Sequence, residues 1–228
     1  MMTQSLNTTS KKSSPPPYNA TLITRDHSPE QLHKILCERG CNSCNLGSQP
    51  ELVSPVIYKG NIHAPRMIIG EYPSLNDTPA GTLLEKILLS VDYNPTKDFI
   101  FTNAILCRPI APVGSEKQNL MPTMAQKKVC RPYVEQVMNW VKPNLVMLLG
   151  FQAVKSIIPK ETVNKNMENL VGQVITSTRY PNILFFVMWH PSFLCRQQNT
   201  DNWEHYRQLT WKHINLFKQI DGELNDTN

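Results

Sequence analysis

Four short runs constrain the fold more than any other feature: Met67-Ile68-Ile69, Phe99-Ile100-Phe101, Leu145-Val146-Met147-Leu148-Leu149 and Ile183-Leu184-Phe185-Phe186-Val187. Each is apolar at every position, so a strand built from it must be covered on both faces, as strands of a parallel sheet are. Between and after the runs lie stretches with helical periodicity: Thr82 to Val91, Met124 to Val141, Gln152 to Ile158, and Asn202 to Ile220 with Trp203, Tyr206, Ile214 and Phe217 on one face. A further helix is expected from Pro29 to Arg39. There Ser28-Pro29-Glu30-Gln31 combines an N-cap, a proline at the first helical position and a capping-box glutamine, and Gly40 supplies a stop. The alternation predicts an α/β protein, a three-layer α/β/α sandwich around a central four-stranded parallel sheet.

At 228 residues, 40% of them hydrophobic, the chain is long enough for one such domain and too short for two large ones. Residues 1–27 are rich in Ser, Thr, Pro and Lys without apolar periodicity and read as a flexible tail. The domain is then expected over 28–220, with a disordered C-terminus over 221–228. No stretch approaches the roughly 18 apolar residues of a membrane span, and the first thirty residues lack the apolar core of a secretory signal. The expectation is a soluble, intracellular, cytoplasmic protein with no membrane partner. Lys and Arg outnumber Asp and Glu by 23 to 18. That balance is compatible with a polyanionic partner and does not demand one.

Ligands of such sheets bind beyond the carboxyl ends of the strands. The first run is followed by Gly70-Glu71-Tyr72-Pro73-Ser74-Leu75-Asn76-Asp77, the second by Thr102-Asn103 and then Cys107-Arg108-Pro109, and the fourth by His190-Pro191-Ser192. Two carboxylates, an amide and an imidazole are thereby expected along one sheet edge.

The six cysteines are Cys37, Cys41, Cys44, Cys107, Cys130 and Cys195. In a reducing compartment they are expected as metal ligands or buried thiols rather than as disulfides. Cys41-Asn42-Ser43-Cys44 is a C-x2-C pair, while Cys107 and Cys130 each precede Arg-Pro. Four thiolates can close around one centre, and spacing alone leaves zinc and an iron-sulfur cluster about level, with simple burial as the alternative.

The order of motifs is more specific than any one of them. It runs from the C-x2-C pair through Gly70-Glu71 with Pro73, Thr102-Asn103, Cys107-Arg108-Pro109, Pro122-Thr123 and Cys130-Arg131-Pro132-Tyr133. It continues through Lys142-Pro143-Asn144-Leu145-Val146, Gly150, Gln152-Ala153 and His190-Pro191-Ser192. Over roughly residues 35 to 215 this resembles the iron-sulfur uracil-DNA glycosylases, family 4 of that superfamily. The resemblance implies that Cys41, Cys44, Cys107 and Cys130 hold a structural [4Fe-4S] cluster, with zinc as the alternative, and leaves Cys37 and Cys195 as buried thiols without counterparts. It implies a monomeric base-excision enzyme whose partner is DNA containing uracil or a modified pyrimidine.

In that family's pattern His190 matches the donor to the departing base. Glu71 and Asp77 match the acidic positions around the attacking water, Asp77 standing where Glu is usual. Asn103 matches the reader of the uracil edge, within a substrate pocket that includes Gly70, Tyr72 and Ser192. Base extrusion from the duplex further requires a wedge and phosphate contacts, expected from Phe193, Leu194 and Arg196. The chain departs from the pattern in four places. A loop with a Pro-Phe pair is missing after Asp77, Tyr72 and Ser74 replace a small residue and a glycine, 22 residues separate Cys107 from Cys130, and an arginine near Val171-Gly172-Gln173 is absent. The rival expectations are an inactive glycosylase-fold DNA-binding or scaffold protein, and a glycosylase-like enzyme acting on a hypermodified base.

Overall fold

The computed structural model describes residues 27–226 apart from 40, 42, 45, 47–54, 74–77 and 110–119, and for Cys37 and Arg39 the backbone alone. The expected tail up to residue 26, the stop at Gly40, and Ser74 and Asp77 therefore lie outside the described residues, as does the Cys37 side chain.

Helix α1 spans Pro29–Arg39. Its capping box is formed, with the Ser28 N–H donating to Gln31 Oε1 at 2.9 Å and the Gln31 N–H to Ser28 Oγ at 3.2 Å. The strands are β1 (Lys59–Gly60), β2 (Arg66–Gly70), β3 (Phe99–Asn103), β4 (Leu145–Leu149), β5 (Val174–Ser177) and β6 (Tyr180–Met188), in sheet order β1-β3-β2-β4-β6-β5. The four inner strands, which contain the four apolar runs, are mutually parallel. The outer two are antiparallel and make the sheet six-stranded rather than four-stranded. Their sequences explain why no apolar run announces them: β1 is two exposed residues, and β5 has a single buried position at its end.

The remaining helices are α2 (Pro79–Leu89), α3 (Pro95–Asp98), α4 (Met124–Val141), α5 (Gly150–Ile157), α6 (Pro191–Gln197) and α7 (Trp203–Asp226). Alternate residues of the inner strands feed two cores. Met67, Ile69, Val146, Leu148, Phe185 and Val187 pack with α1, α4 and α5, while Ile68, Leu145, Met147, Phe186 and Met188 pack with Leu88 of α2 and with Ile214 and Phe217 of α7. That division produces the three layers, and it is the reason the runs are apolar at every position.

Helix α7 continues past Ile220 to Asp226, where disorder was expected from residue 221. Asp221 is 5% exposed. Its Oδ2 accepts the Tyr93 hydroxyl at 2.7 Å and its Oδ1 pairs with Arg66 Nε at 2.6 Å. A buried carboxylate with a charged and a neutral partner ties the last turns of the helix to the start of β2.

Candidate active site

The carboxyl ends of the inner strands fix three polar side chains. Gly70 and Asn103 are register partners at the ends of β2 and β3. A Cβ on Gly70 would lie 2.6 Å from Asn103 Oδ1, so the glycine leaves room for the amide. Pairing continues past both strands, with Ala104 N–H donating to Gly70 O and Ile105 N–H to Glu71 O, both at 2.9 Å, and this sets Glu71 beside the Asn103 segment. At the end of β4, Gly150 has φ +81°, a conformation that favours glycine. A Cβ there would come within 2.9 Å of His190 Cβ. Gly150 thus admits His190, which follows β6 and caps α6.

The contacts of Nδ1 set the tautomer of His190. Its Nδ1 accepts the Ser192 backbone N–H at 3.2 Å and lies 2.7 Å from Ser192 Oγ. A nitrogen that accepts a backbone N–H carries no proton, so the neutral ring holds its proton on Nε2. Burial first, and Arg196 second, pull the imidazole down to about 4, and the ring is uncharged at neutral pH.

Glu71 is half-buried; its Oε1 is closed off from solvent and has no hydrogen-bond partner among the described residues. Burial pushes its carboxyl up, and the Lys127 ammonium partly offsets this. Tyr72 is half-buried beside it, with the Arg108 guanidinium 5.7 Å from its ring centroid. Both Arg108 and Arg196 act electrostatically on the Tyr72 hydroxyl. Asp77 lies outside the described residues; the N-cap of α2 that follows it is Thr78, whose Oγ1 accepts from Gly81 N–H at 3.2 Å.

The residues expected to meet the duplex divide. Phe193 is half-buried, stacked on Trp189 at 4.7 Å and edge-on to Tyr206 at 5.0 Å. The Arg196 guanidinium lies 6.0 Å from the Phe193 centroid. Leu194 is 1% exposed and packs with Val171 and Trp189, because the first turn of α6 directs it inward; it presents no surface for a wedge.

Cys41, Cys44, Cys107 and Cys130 line one cavity together with Leu36, Ile105 and Tyr133. They come from three places in the chain: the segment after α1, the segment after β3, and α4. The Tyr133 hydroxyl lies 3.5 Å from Cys41 Sγ and 3.4 Å from Ser43 Oγ. Burial above all, then the neighbouring thiols, push Cys107 far up, and burial with Cys44 and Cys41 pushes Cys130 up to about 12. Bare thiolates at Cys107 and Cys130 are therefore disfavoured in this cavity, whereas a cationic centre would compensate them. Among the described residues no group of three or more His, Cys, Asp or Glu side chains converges tightly enough to hold one metal ion. Cys195, on α6, is a half-buried free thiol outside this cavity.

The family model of the Uracil DNA glycosylase superfamily matches residues 57–214, a range that contains all six strands. The chain belongs to the uracil-DNA glycosylase superfamily. Three relatives are named type-4 uracil-DNA glycosylase. That of Saccharolobus solfataricus is 26% identical over 68% of this chain and 72% of its own length. The Pyrobaculum aerophilum protein is 26% identical over 62% and 69%, and the Archaeoglobus fulgidus protein 25% identical over 77% and 89%. Membership in this superfamily places the protein among the glycosylase hydrolases. No helix among the described residues is long and apolar enough to cross a membrane.

Two features of this glycosylase site were not expected from the sequence. Arg108 stands over Tyr72, a position that its place in the Cys107-Arg108-Pro109 motif does not announce. Lys127, on α4, is 2% exposed and donates from Nζ to Gln152 Oε1 of α5. A signal for Lys127 was present: it falls on the stripe of α4 that also holds the buried Cys130, Val134, Val137 and Met138.

Proposed function

We propose that the protein is a DNA glycosylase that hydrolyses the N-glycosidic bond of uracil, or of a related modified pyrimidine, in DNA and leaves an abasic site for base-excision repair. The observation that carries this reading is the neutral, Nδ1-engaged His190 on the same sheet edge as Asn103 and Glu71. In this reaction the C1′–N1 bond breaks with its electron pair moving to the base, and water supplies the oxygen that C1′ gains. Negative charge collects on the pyrimidine while the sugar becomes oxocarbenium-like, so both ends need stabilisation. His190 donates from Nε2–H to the departing base oxygen O2, a donor already oriented by Ser192. Glu71 faces the cationic sugar and orients the water, with Asp77 as the second acidic group. Asn103 pairs with O4 and N3–H together, a pattern that cytosine does not offer, and a wrong base leaves buried groups unpaired.

Tyr72, backed by Arg108, supplies the aromatic face against which the extruded base stacks. Gly70 and Ser192 belong to the pocket through the side chains that they admit and orient. Phe193 and Arg196 are the DNA contacts of α6, Arg196 to phosphate; Leu194 supports them from beneath.

Cys41, Cys44, Cys107 and Cys130 would hold a [4Fe-4S] cluster. A cubane separates its four thiolates more widely than a zinc ion does, which suits thiols that share a cavity without converging on a point. Bound there, the cluster supplies a rigid cross-link. Cys107 lies four residues after Asn103, so anchoring it fixes the segment that reads the base.

The reading is tested by incubating full-length holoprotein with oligonucleotides carrying uracil, hydroxymethyluracil or hypoxanthine, followed by alkaline scission of abasic sites. Scission at uracil or hydroxymethyluracil is the expected outcome. Binding to every oligonucleotide with scission at none would replace the enzyme by a DNA-binding scaffold.

A further inference from the structure

We propose that Lys127 is a positioning residue for the hydrolysis, a buried ammonium on α4 that fixes the Glu71 carboxylate at the end of β2 as the group orienting the attacking water. What Glu71 does rests on the glycosylase reading; the pairing of the two residues rests on their placement.

Lysine is almost never fully buried without a partner, yet Lys127 is 2% exposed. Its hydrogen-bond acceptor, Gln152 Oε1, is neutral and leaves the positive charge unbalanced. β2 and β4 are parallel neighbours with Ile69 beside Leu148, so the chain leaving β2 at Glu71 and the first turn of α5 with Gln152 lie at the same end of the sheet; Glu71 Oε1 there is closed off from water and has no hydrogen-bond partner among the described residues. The two make no contact ion pair among the described residues, so the ammonium acts through space, where a dry surrounding weakens the attraction less than water would. Each lacks what the other supplies.

The charged neighbours make the assignment specific. Glu71 is faced by Lys127 from α4 and by the Tyr72 hydroxyl from its own segment. Lys127 is faced by Glu71 and by Lys155 of α5, whose ammonium lies 5.1 Å from the Phe151 ring centroid. Arg108 and Arg196 act on Tyr72, and Arg196 on His190. Burial drives the Glu71 carboxyl up, and Lys127 is the charge that opposes it.

The consequence has a sign. Removing the ammonium lets the carboxyl rise further, so the acid limb of the cleavage rate moves to higher pH. Lys127→Met keeps much of the side-chain volume while removing the charge. In single-turnover cleavage of a uracil duplex it should lose rate at pH 6 by about tenfold for each pH unit that the limb moves, with recovery toward pH 8.5 and unchanged DNA affinity. Lys127→Arg should keep the wild-type limb. In a Glu71→Gln background, Lys127→Met should cost no further rate.

A second cycle needs no activity. Unfolding by urea at pH 7 of wild type, Lys127→Met, Glu71→Gln and the double variant should show non-additivity of at least about threefold in the unfolding equilibrium, as for groups that interact directly. Coupling in stability together with a shifted limb supports the inference. Additive effects in the stability cycle, or an unmoved limb in Lys127→Met, overturn it. If wild type cuts no base while the stability cycle still shows coupling, the pairing stands and the glycosylase reading falls.

Discussion

A histidine that accepts a backbone N–H at Nδ1 and is shut away from water gains little from protonation, and His190 meets both conditions. Its neutral ring suits a donor to a base leaving as an anion, because Nε2–H is already aimed by the partner of the other nitrogen. His190→Ala should reduce single-turnover cleavage by roughly a hundredfold, the scale of losing one preorganised donor, with little change in DNA affinity. The same burial makes stability depend on pH. The folded ring titrates at about 4 against 6.5 for the exposed group, so the unfolded chain takes up the proton first as pH falls. The folded state keeps its full advantage above pH 6.5 and loses it progressively down to pH 4. Between pH 7 and 4.5, wild type should therefore lose about 2–3 kcal/mol more stability than His190→Gln in urea titrations. Equal losses in the two proteins would show that His190 is not held neutral by the fold.

At the scale of elements, the site is made by where strands stop. Gly150 ends β4 with φ +81° beneath His190. Gly150→Ala should destabilise the fold by about 1–2 kcal/mol through its left-handed backbone. It should also lower cleavage beyond that loss, since the new Cβ displaces the histidine; near-normal cleavage by the folded variant would contradict the packing. The inner strands were legible in advance because a run such as Leu145–Leu149 is apolar on both faces and is bounded by turn-forming residues; β4 matches its run, while β2, β3 and β6 extend beyond theirs to Gly70, Asn103 and Tyr180–Met188. Helices α1 and α4 were legible to the residue, the first because a cap at Ser28 marks its start and the second from the helical periodicity of Met124 to Val141. Edge strands β1 and β5 were not, since an exposed strand held by a neighbour's backbone needs no apolar side chains. Glu71, Asn103 and His190 could be assigned to one edge from the strand order of an α/β sheet. The inward turn of Leu194 and the burial of Lys127 against Gln152 could not, because both depend on how α6 and α4 settle against the sheet.

Across the whole molecule, the cavity of four thiols joins the segment after α1, the segment that carries Asn103, and α4. Purified protein should contain about four irons per chain, and Cys130→Ala should lose them along with thermal stability, whereas Cys195→Ala should keep both. A colourless protein with one zinc would replace the cluster by a single ion. The basic balance of 23 Lys and Arg against 18 Asp and Glu gives DNA binding a salt dependence, because phosphate contacts release counterions, but it says nothing of which base is removed. That question belongs to the pocket, and free base is its most direct readout. The decisive measurement is the amount of free uracil released in a single turnover at pH 7.5 from a duplex carrying one labelled uracil, for wild type and His190→Ala. The account predicts close to one uracil per duplex for excess wild type and a rate about a hundredfold lower for the variant. Equal release by both proteins, or none by wild type bound to the duplex, would contradict it.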